Sequence, residues 1–486
     1  MEGNRSLEVK KNGVNRTTMI LIIVAALLVI INVYLFVNMN TTPAKVILYG
    51  APPELKAAED RTITVDGKPL FVYDTAVNFN RTWTKDPKLE TTPMAYFDFD
   101  GTVNIKMTVP GEKIEKAIIR PLSLGIEPKI NGDTLSFKLD QPAQLTIEIN
   151  DNIHRAVHLF ANPLEANAPK PGDPDVIYFG PGIHEVGRIP VQSNQTVYIA
   201  GGAVVYGCIK AENLENLKIE GRGIIDGSIY DRWIDTLVPI DLRNCKNSSV
   251  EGITMLDPSA WTLNIYSSQN IKVDNIKIIS ARANSDGITI QSCKDVTVTN
   301  SFVRSWDDSL VVKGYDGDVK GITFDNCILW TDLAQSCEIG YETRANTIAD
   351  VTFKNITVLH NFHKPVLSIH NSDNALVQNV HYENIVVEDA KMGMGDAAGY
   401  NYLIDLNIGT SQWSQARTRG NIKDITFENI QVLGGEFQPS RIMGYDDTHK
   451  IENITIKNFK MLGQDIKDIE TGKFKVNNYA ENIVFE

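Results

Sequence analysis

A five-residue pattern, apolar-x-apolar-x-Asn, recurs about every 25 to 30 residues through the C-terminal half of the chain. Its copies occupy residues 271–275, 296–300, 322–326, 351–355, 380–384, 425–429 and 454–458. Apolar residues two apart are typical of a strand, whereas a helix would place them three and four apart. Because a fixed period of this length indicates a solenoid, each copy is predicted to mark one coil of a β-helix.

The asparagine ends each alternating run where the chain must turn. Its side-chain amide can bond its own turn and the equivalent asparagine one coil away. We therefore expect a ladder of asparagines along the stack of coils. A sandwich whose strands each happen to end in asparagine is the alternative.

Length and charge limit the possible classes of protein. A chain of 486 residues exceeds the usual size of one hydrophobic core, so two domains are expected. A net charge of −13, with no basic run, argues against nucleic acid as a partner. The five cysteines have no CxxC spacing and are predicted to be small buried side chains rather than a zinc site or a disulfide framework. They are Cys208, Cys245, Cys293, Cys327 and Cys337.

The N-terminus carries an apolar stretch long enough to cross a bilayer. Basic residues precede this stretch, at Arg5, Lys10, Lys11 and Arg16. The positive-inside rule then predicts a cytoplasmic N-terminus at 1–18, a transmembrane signal anchor at 19–38, and a remainder exported to the cell surface. Cleavage as a signal peptide is the alternative, and it would make the protein secreted.

Two modules are predicted beyond the anchor. Short β-rich runs separated by turns predict a β-sandwich over 45–165, expected to support and cap the first coil or to bind carbohydrate. A proline-rich junction at 168–174 separates it from a β-helix over 175–486. Within the β-helix the repeat expands between Asn384 and Asn429, so 391–419 is predicted to be a long loop that shapes a cleft.

Acidic residues cluster at two places about one coil apart. Asp286 follows Asn284, and the pair Asp307 and Asp308 comes 21 and 22 residues after Asp286. Stacked coils lie about 4.8 Å apart, so the three carboxylates are expected to converge. Crowding raises the pKa of at least one, which suits the acid and base of glycoside hydrolysis. The alternative is that these residues mark turns or bind a structural calcium.

Neighbouring coils supply further candidates for binding a sugar. Trp306 and Tyr341 are aromatic and could stack on sugar rings, although large aromatics also fill solenoid cores. Lys313, His363 and Lys364 are candidate polar partners. No organic cofactor is implied by any motif.

Three motifs resemble those of the polygalacturonase-like clan of glycoside hydrolases, and the similar stretch covers about 176–460. The motifs are Gly221-Arg-Gly-Ile-Ile-Asp-Gly227, Asn284-Ser-Asp286 and Asp307-Asp308-Ser309. The resemblance implies an all-β fold, namely a right-handed single-stranded parallel β-helix, and hydrolysis with inversion. By resemblance Asp307 is the general acid, Asp286 and Asp308 position and deprotonate water, and Asn284 orients the cluster.

Two elements of polygalacturonases, Gly-His-Gly and Arg-Ile-Lys, are missing. Where the first is expected the chain has Glu338 and Tyr341, and near the second only His363 and Lys364. Because the basic groups of these elements hold a uronic acid, the pattern resembles more closely the dextranase and isopullulanase branch, which also joins a sandwich to the β-helix. The predicted substrate is therefore a neutral glucan, with pectin second. The residues predicted to bind it are Asn284, Trp306, Lys313, Glu338, Tyr341, His363 and Lys364.

Two other functions fit the same sequence. A calcium-dependent polysaccharide lyase of the same architecture would use the acidic cluster to hold calcium. A non-catalytic surface solenoid would bind a glycan and cleave nothing.

Overall fold

The computed structural model describes Met19 and residues 44–84, 86–232, 237–390 and 401–486. The predicted cytoplasmic segment 1–18, and all of the predicted anchor 19–38 except Met19, lie outside these residues. Among the described residues no helix has the length and apolar character needed to cross a membrane. The anchor and the export of the chain therefore stay predictions.

The described chain is almost entirely β-structure, as predicted, with a single 3-10 turn at Leu122–Leu124. The strands of the first module are β1 (Lys45–Leu48), β2 (Thr62–Val65), β3 (Lys68–Leu70), β4 (Tyr73–Val77), β5 (Glu90–Asp100), β6 (Val103–Thr108), β7 (Ala117–Arg120), β8 (Lys129–Asn131), β9 (Thr134–Leu139), β10 (Ala143–Ile149) and β11 (Asn152–Pro163).

These strands form two sheets that pack face to face. The larger sheet has the order β1-β5-β11-β10-β7 with β4 beside β5, and the smaller has the order β3-β2-β6-β9-β8. Alternate residues of each strand point into one shared core, where Phe97, Ile105 and Leu159 are fully buried. Period-2 alternation that buries one face of each sheet is the physical basis of a sandwich.

The second module holds the remaining strands. They are β12 (Val176–Phe179), β13 (Gly182–Ile189), β14 (Thr196–Ile199), β15 (Ala203–Glu212), β16 (Lys218–Gly221), β17 (Ile224–Asp226), β18 (Ile240–Arg243), β19 (Lys246–Glu251), β20 (Thr254–Leu256), β21 (Leu263–Tyr266), β22 (Gln269–Asp274), β23 (Lys277–Ile279), β24 (Ile288–Gln291), β25 (Lys294–Thr299), β26 (Phe302–Ser305), β27 (Leu310–Gly314), β28 (Val319–Asp325), β29 (Ile328–Thr331), β30 (Cys337–Thr343), β31 (Thr347–Asn361), β32 (Leu367–Asn371), β33 (Leu376–Val387), β34 (Ile404–Ile408), β35 (Asn421–Val432), β36 (Ser440–Met443), β37 (Ile451–Met461), β38 (Gln464–Ile466), β39 (Phe474–Val476) and β40 (Ala480–Phe485).

Parallel pairing between successive coils makes this module a β-helix with three sheets. Sheet 1 runs through β14, β16, β19, β22, β25, β28, β31, β33, β35, β37 and β40. Sheet 2 runs through β15, β17, β20, β23, β26, β29 and the end of β31. Sheet 3 runs from the end of β15 through β18, β21, β24, β27, β30, β32, β34, β36 and β39. The predicted coils are confirmed, while their right-handed turn stays a prediction.

Like side chains stack inside the coils. The rings of Phe324, Phe353, Tyr382 and Phe427 form a column with centroids 4.9 to 5.0 Å apart. All five cysteines are buried and free, as predicted. The interior of each coil therefore repeats the interior of the next, which is why a period in the sequence is visible.

The asparagine ladder is present at the turns between sheet 1 and sheet 2. All seven motif asparagines adopt the left-handed conformation, with φ between 47° and 57°. The side-chain amide of Asn326 donates to Asn300 at 2.8 Å, and that of Asn458 donates to Asn429 at 2.7 Å. Asparagine tolerates this conformation better than most residues, so each one stabilises both its turn and its neighbour's.

The sandwich packs along the side of the β-helix, on the outer face of sheet 2. Phe160 of β11 meets Phe302 of β26 with ring centroids 5.0 Å apart, and Arg222 donates to buried Asp98 at 3.0 Å. The expected support of the coils is therefore present along their side, whereas capping of the first coil stays a prediction. The outer face of sheet 2 is apolar, as at Ile279, so it requires a covering layer over several coils.

The segment 391–419 is not one continuous loop. Its residues 404–408 form β34, which pairs with β32 and β36 and continues sheet 3. The strand escaped prediction because its alternating pattern, from Ile404 to Ile408, is only five residues long. The loop after β34 is held by Asp373, whose carboxylate accepts from the backbone N–H of Gln415 at 2.6 Å.

Candidate active site

A cavity of about 550 Å³ lies where strands of sheet 2 end and strands of sheet 3 begin. The side chains that line it come from both modules. They are Arg81, Thr82, Trp83, Trp261, Asn284, Asp286, Trp306, Asp307, Asp308, Lys313, Leu333, Gln335, Tyr341, Glu342, Lys364, Gln412 and Trp413.

Strand register stacks two of the acids. Ile288 of β24 lies opposite Leu310 of β27, so Asp286 is level with Asp308 one coil away. The backbone N–H of Gly287 donates to the carbonyl of Asp308 at 2.8 Å. A Cβ on Gly287 would lie 2.5 Å from the carbonyl oxygen of Ser309, so glycine permits this close approach. The convergence predicted from the spacing is present.

Burial and mutual repulsion perturb these acids. Asp286 and Asp308 are only 3% and 8% exposed. Burial raises the pKa of Asp286 to about 7, with Lys313 opposing the rise and Asp307 adding to it. Burial also raises the pKa of Asp308 well above its usual value, and the charges of Asp307 and Asp286 add to the effect. The cluster therefore holds a proton near neutral pH.

Lys313 supplies the positive charge next to the cluster. Its Nζ lies 3.7 Å from Asp286 Oδ2 and 3.2 Å from Glu342 Oε2, and also lies over the ring of Trp261. Burial lowers the pKa of Lys313, but the carboxylates of Asp286 and Glu342 outweigh it and raise the pKa. The lysine charge is thus committed to two carboxylates.

Asp307 differs from its two neighbours because it is only partly buried. Its Oδ1 accepts a hydrogen bond from the backbone N–H of Asp308 at 3.2 Å. Asn284 also lines the cavity, and its side-chain oxygen accepts a hydrogen bond from the guanidinium of Arg232 at 3.2 Å. Asp307 is therefore the acid of the three that is most open to a molecule entering the cavity.

Trp306 has a different role from the one predicted. It is 1% exposed, packs against Ala283 and Leu333, and donates its indole N–H to the carbonyl of Asn80 at 2.9 Å. Little of its ring is available to stack on a sugar. Its main contact instead joins the sandwich to the cavity.

Glu338 lies beneath the cavity rather than on its surface. Its side chain is fully buried and accepts hydrogen bonds from Ser368 and from His370, the latter at 2.8 Å. His370 in turn stacks on the ring of Tyr341, with centroids 4.4 Å apart. Burial lowers the pKa of His370, but Glu338 and Asp405 raise it to about 10. The predicted direct contact of Glu338 with substrate is therefore not met, because this charged network holds it in place below Tyr341.

Lys364 lines the cavity, whereas the neighbouring His363 does not. Burial lowers the pKa of His363 to about 4, and the charges of Arg81 and Lys364 add to that effect. Its Nδ1 has no hydrogen-bond partner among the described residues. The prediction that His363 binds substrate is not supported by this position.

Sequence reasoning missed the residues that come from outside the coils. Arg81, Thr82 and Trp83 lie between β4 and β5 of the sandwich, and Gln412 and Trp413 follow β34. Trp83 and Trp413 are about half exposed and offer ring surface at the rim. The only sequence signal was a polar segment with an isolated tryptophan in each place, which many loops share.

A second cavity of similar volume lies on the ladder side, between the sandwich and sheet 1. Its lining includes Arg222, which is already paired with buried Asp98. Strand register also stacks carboxylates in its lining, those of Glu220, Glu251 and Asp274. These carboxylates are partly or fully exposed, whereas Asp286 and Asp308 are buried, so the first cavity is the stronger candidate. In the part of the chain that the structure describes, no group of three or more His, Cys, Asp or Glu side chains is placed to hold a metal ion.

Comparisons with known proteins agree with this geometry. The model of the family described as "Glycosyl hydrolases family 28" matches residues 188–480. An exopolygalacturonase of Zea mays is 23% identical over 46% of this chain and 56% of its own length. An endo-polygalacturonase of Pectobacterium carotovorum subsp. carotovorum is 25% identical over 51% of this chain and 68% of its own length. The aligned region thus spans about half the length of the first of these relatives.

The fold also resembles a solved structure, Dex49A from Penicillium minioluteum. The TM-score is 0.63 at 14% identity, covering 90% of this chain and 96% of that one. Coverage this high includes strands of both modules. At this identity the similarity shows the fold alone.

Proposed function

The chain belongs to family 28 of the glycosyl hydrolases, and on that premise we propose that it cleaves O-glycosidic bonds of a polysaccharide by attack of water, with inversion at the anomeric carbon. The resemblance to the polygalacturonase-like clan is thereby confirmed. One observation carries the proposal, namely that strand register stacks Asp286 on Asp308 beside the more open Asp307.

The three acids divide the work of hydrolysis. Asp307 donates a proton to the glycosidic oxygen as the bond to the anomeric carbon breaks. Asp286 and Asp308, level with each other on adjacent coils, hold a water molecule and take its proton as its oxygen attacks that carbon. The raised pKa values keep a proton in the cluster near neutral pH, and exchange with solvent restores the starting state.

Polygalacturonate is the substrate that the family and the two named relatives favour. The neutral glucan predicted from the missing motifs is the second candidate. The absence of Gly-His-Gly and Arg-Ile-Lys favours the glucan, and the presence of Arg81 and Lys364 at the cavity favours an acidic chain.

The protein is proposed to act outside the cell, held by residues 19–38 or secreted after cleavage. An extracellular polysaccharide would be accessible only there. Fractionation of expressing cells tests this. Activity that stays in the cytosolic fraction would overturn it.

Product analysis tests the reaction. The purified protein is incubated with polygalacturonate, pectin, dextran and pullulan, and products are followed by reducing ends and by NMR of the first-formed anomer. Saturated products with inverted configuration, absent in Asp307→Asn, are expected. Unsaturated products that require calcium would indicate a lyase, and intact glycan recovered after binding would indicate a non-catalytic solenoid.

A further inference from the structure

Two basic residues from different modules line the cavity that holds the acids. Arg81 comes from the sandwich, and Lys364 comes from the turn between β31 and β32. Neither forms an ion pair within 4 Å with a carboxylate of the described residues, in contrast to Lys313, which contacts Asp286 and Glu342. Among the described residues, Arg81 and Lys364 are thus the cations of the cavity lining that no carboxylate pairs.

The position of Arg81 is fixed by hydrogen bonds between the modules. Asn78 donates its side-chain amide to the carbonyl of Ala281 at 3.0 Å, and the indole of Trp306 donates to the carbonyl of Asn80 at 2.9 Å. Asn78 Oδ1 also accepts from the backbone N–H of Asn80 at 2.9 Å. Arg81 follows Asn80 directly, so this network anchors its backbone against the coil that carries Trp306 and Asp307.

Arg81 and Lys364 line the same cavity, and the charge of each also reaches His363. Its pKa falls to about 4, first through burial and then through the charges of Arg81 and Lys364. The Nδ1 of His363 is buried and has no hydrogen-bond partner among the described residues. The local field favours an anion.

An anionic substrate needs such a field at this cavity. Three acids crowd its floor, and the whole chain carries a net charge of −13. A polymer of like charge would be repelled unless cations on the lining offset the acids. The guanidinium of arginine presents a planar fork that matches a carboxylate, and lysine adds a point charge.

We propose that Arg81 and Lys364 form an anion subsite across the junction of the two modules, and that this subsite binds the carboxylate of a hexuronic acid unit. The sandwich thereby belongs to the substrate-binding site and does more than support the coils. This proposal rests on the proposed function, since it assigns a substrate class to the same cavity. In this proposal Arg81 and Lys364 supply the positive charge that the missing Gly-His-Gly and Arg-Ile-Lys motifs would otherwise provide.

Kinetics on a matched pair of substrates test the subsite. The full-length protein and the variants Arg81→Gln, Lys364→Gln and Lys88→Gln are assayed on polygalacturonate and on the same polymer with its carboxyl groups reduced to alcohols. Lys88 is the control because it lies in the same segment of the sandwich but outside the lining of the cavity. Thermal unfolding of each variant checks that the fold is intact.

The expected result is a loss of about tenfold in kcat/KM on polygalacturonate for each cavity variant, mainly through KM, since an exposed charge-assisted contact contributes modestly. Lys88→Gln is expected to stay within about twofold of the native protein, since it removes no cavity contact. On the reduced polymer the cavity variants are expected to match the native protein. Equal losses on both polymers, or losses no larger than that of Lys88→Gln, would overturn the proposal.

A binding measurement separates this proposal from the proposed function. Calorimetry measures the affinity of the Asp307→Asn variant, and of the double variant that also carries Arg81→Gln, for a short oligogalacturonate. This measurement requires no turnover. Binding that weakens about tenfold with Arg81→Gln supports the subsite even if the native protein hydrolyses nothing. Absence of binding to the oligogalacturonate, or equal binding of its carboxyl-reduced form, overturns the subsite even if a neutral glucan is hydrolysed.

Discussion

Each coil makes one turn between sheets 1 and 2 and another between sheets 2 and 3, and the two series of turns differ in character. The first series repeats asparagine, and from Asn300 onward each amide donates to an asparagine or aspartate of the preceding coil. The second series places Trp261, Asp286, Asp308 and Gln335 at successive levels of one column. The same backbone path thus carries one series of similar side chains that are hydrogen-bonded to each other, and another series of different side chains in which carboxylates are crowded.

The two series of turns also differ in how they affect the stability of the fold. At the ladder, hydrogen bonds from asparagine amides stabilise the stack, most of them to a neutral amide and those of Asn300 and Asn355 to the carboxylates of Asp274 and Asp325. At the cavity, burial of like charges raises the pKa of Asp286 and Asp308, which means that ionising them destabilises the fold. Active sites commonly carry such a cost.

The largest expected effect is on turnover at the cavity turn. Asp307→Asn should lower kcat by about three to four orders of magnitude, because the amide cannot donate the proton that acid catalysis needs. The matched control is Asp424→Asn in β35, outside the lining of the cavity, where the new amide still offers an oxygen to Asn453. Initial rates on polygalacturonate measure both. A loss below tenfold in Asp307→Asn would refute its role as the general acid.

The charge next to the cluster has the second-largest effect. Lys313→Met should lower the free energy of unfolding by about 3 kcal/mol at pH 8.5, since it leaves buried carboxylates unpaired. The folded pKa of Asp286 is about 7 and would rise further without Lys313, so the cost should shrink at pH 6, where Asp286 is protonated in the folded state. Denaturant unfolding of the native protein and the variant at the two pH values measures this loss of free energy of unfolding.

The control for that variant is the partly exposed pair of Lys354 with Asp325, 3.2 Å apart on the ladder side. Lys354→Met should cost less than about 1 kcal/mol at either pH, since solvent screens this pair. Equal costs for Lys313→Met and Lys354→Met would remove the contrast between the two turns.

A smaller effect of opposite sign is expected at Asp308. Asp308→Asn should raise the free energy of unfolding by about 1–2 kcal/mol at pH 8.5 while lowering activity, since the amide keeps the contact with Gln335 and removes a buried charge. The pKa of Asp308 is raised in the folded state, so its ionisation destabilises the folded protein only above the unfolded pKa near 4. At pH 4 the variant is therefore expected to gain no free energy of unfolding. A loss of stability at pH 8.5 would show that Asp308 is structural.

An effect of similar size, with no change in activity, is expected at one step of the ladder. Asn326→Ala should cost about 1.5 kcal/mol, because alanine strains a residue with φ of 54° and removes the bond to Asn300. Asn326→Gly keeps the backbone freedom and should cost less, so the difference between the two isolates the strain. Chemical denaturation measures both. Equal costs would mean that the hydrogen bond alone matters.

Local pattern was enough to predict several parts of the molecule. The asparagine repeat predicted the coils, because an alternation of two and a period near one coil admit few other folds. The spacing between Asp286 and Asp308 predicted their convergence, because one coil returns the chain to the same place. The positions of Trp306 and Glu338 were not predictable, since each depends on a partner far away in sequence, Asn80 and His370.

The sequence by itself therefore determined the β-helix, its ladder and the meeting of the three acids, because each follows from a repeat that acts over a single coil. Only the tertiary structure decided that the sandwich covers sheet 2 and brings Arg81 to the cavity. That placement depends on two apolar faces that fit one another, Phe160 against Phe302 among them, and on hydrogen bonds such as that of Trp306 with Asn80. Complementarity between distant surfaces leaves no period in a sequence, so it becomes visible only when the chain is folded.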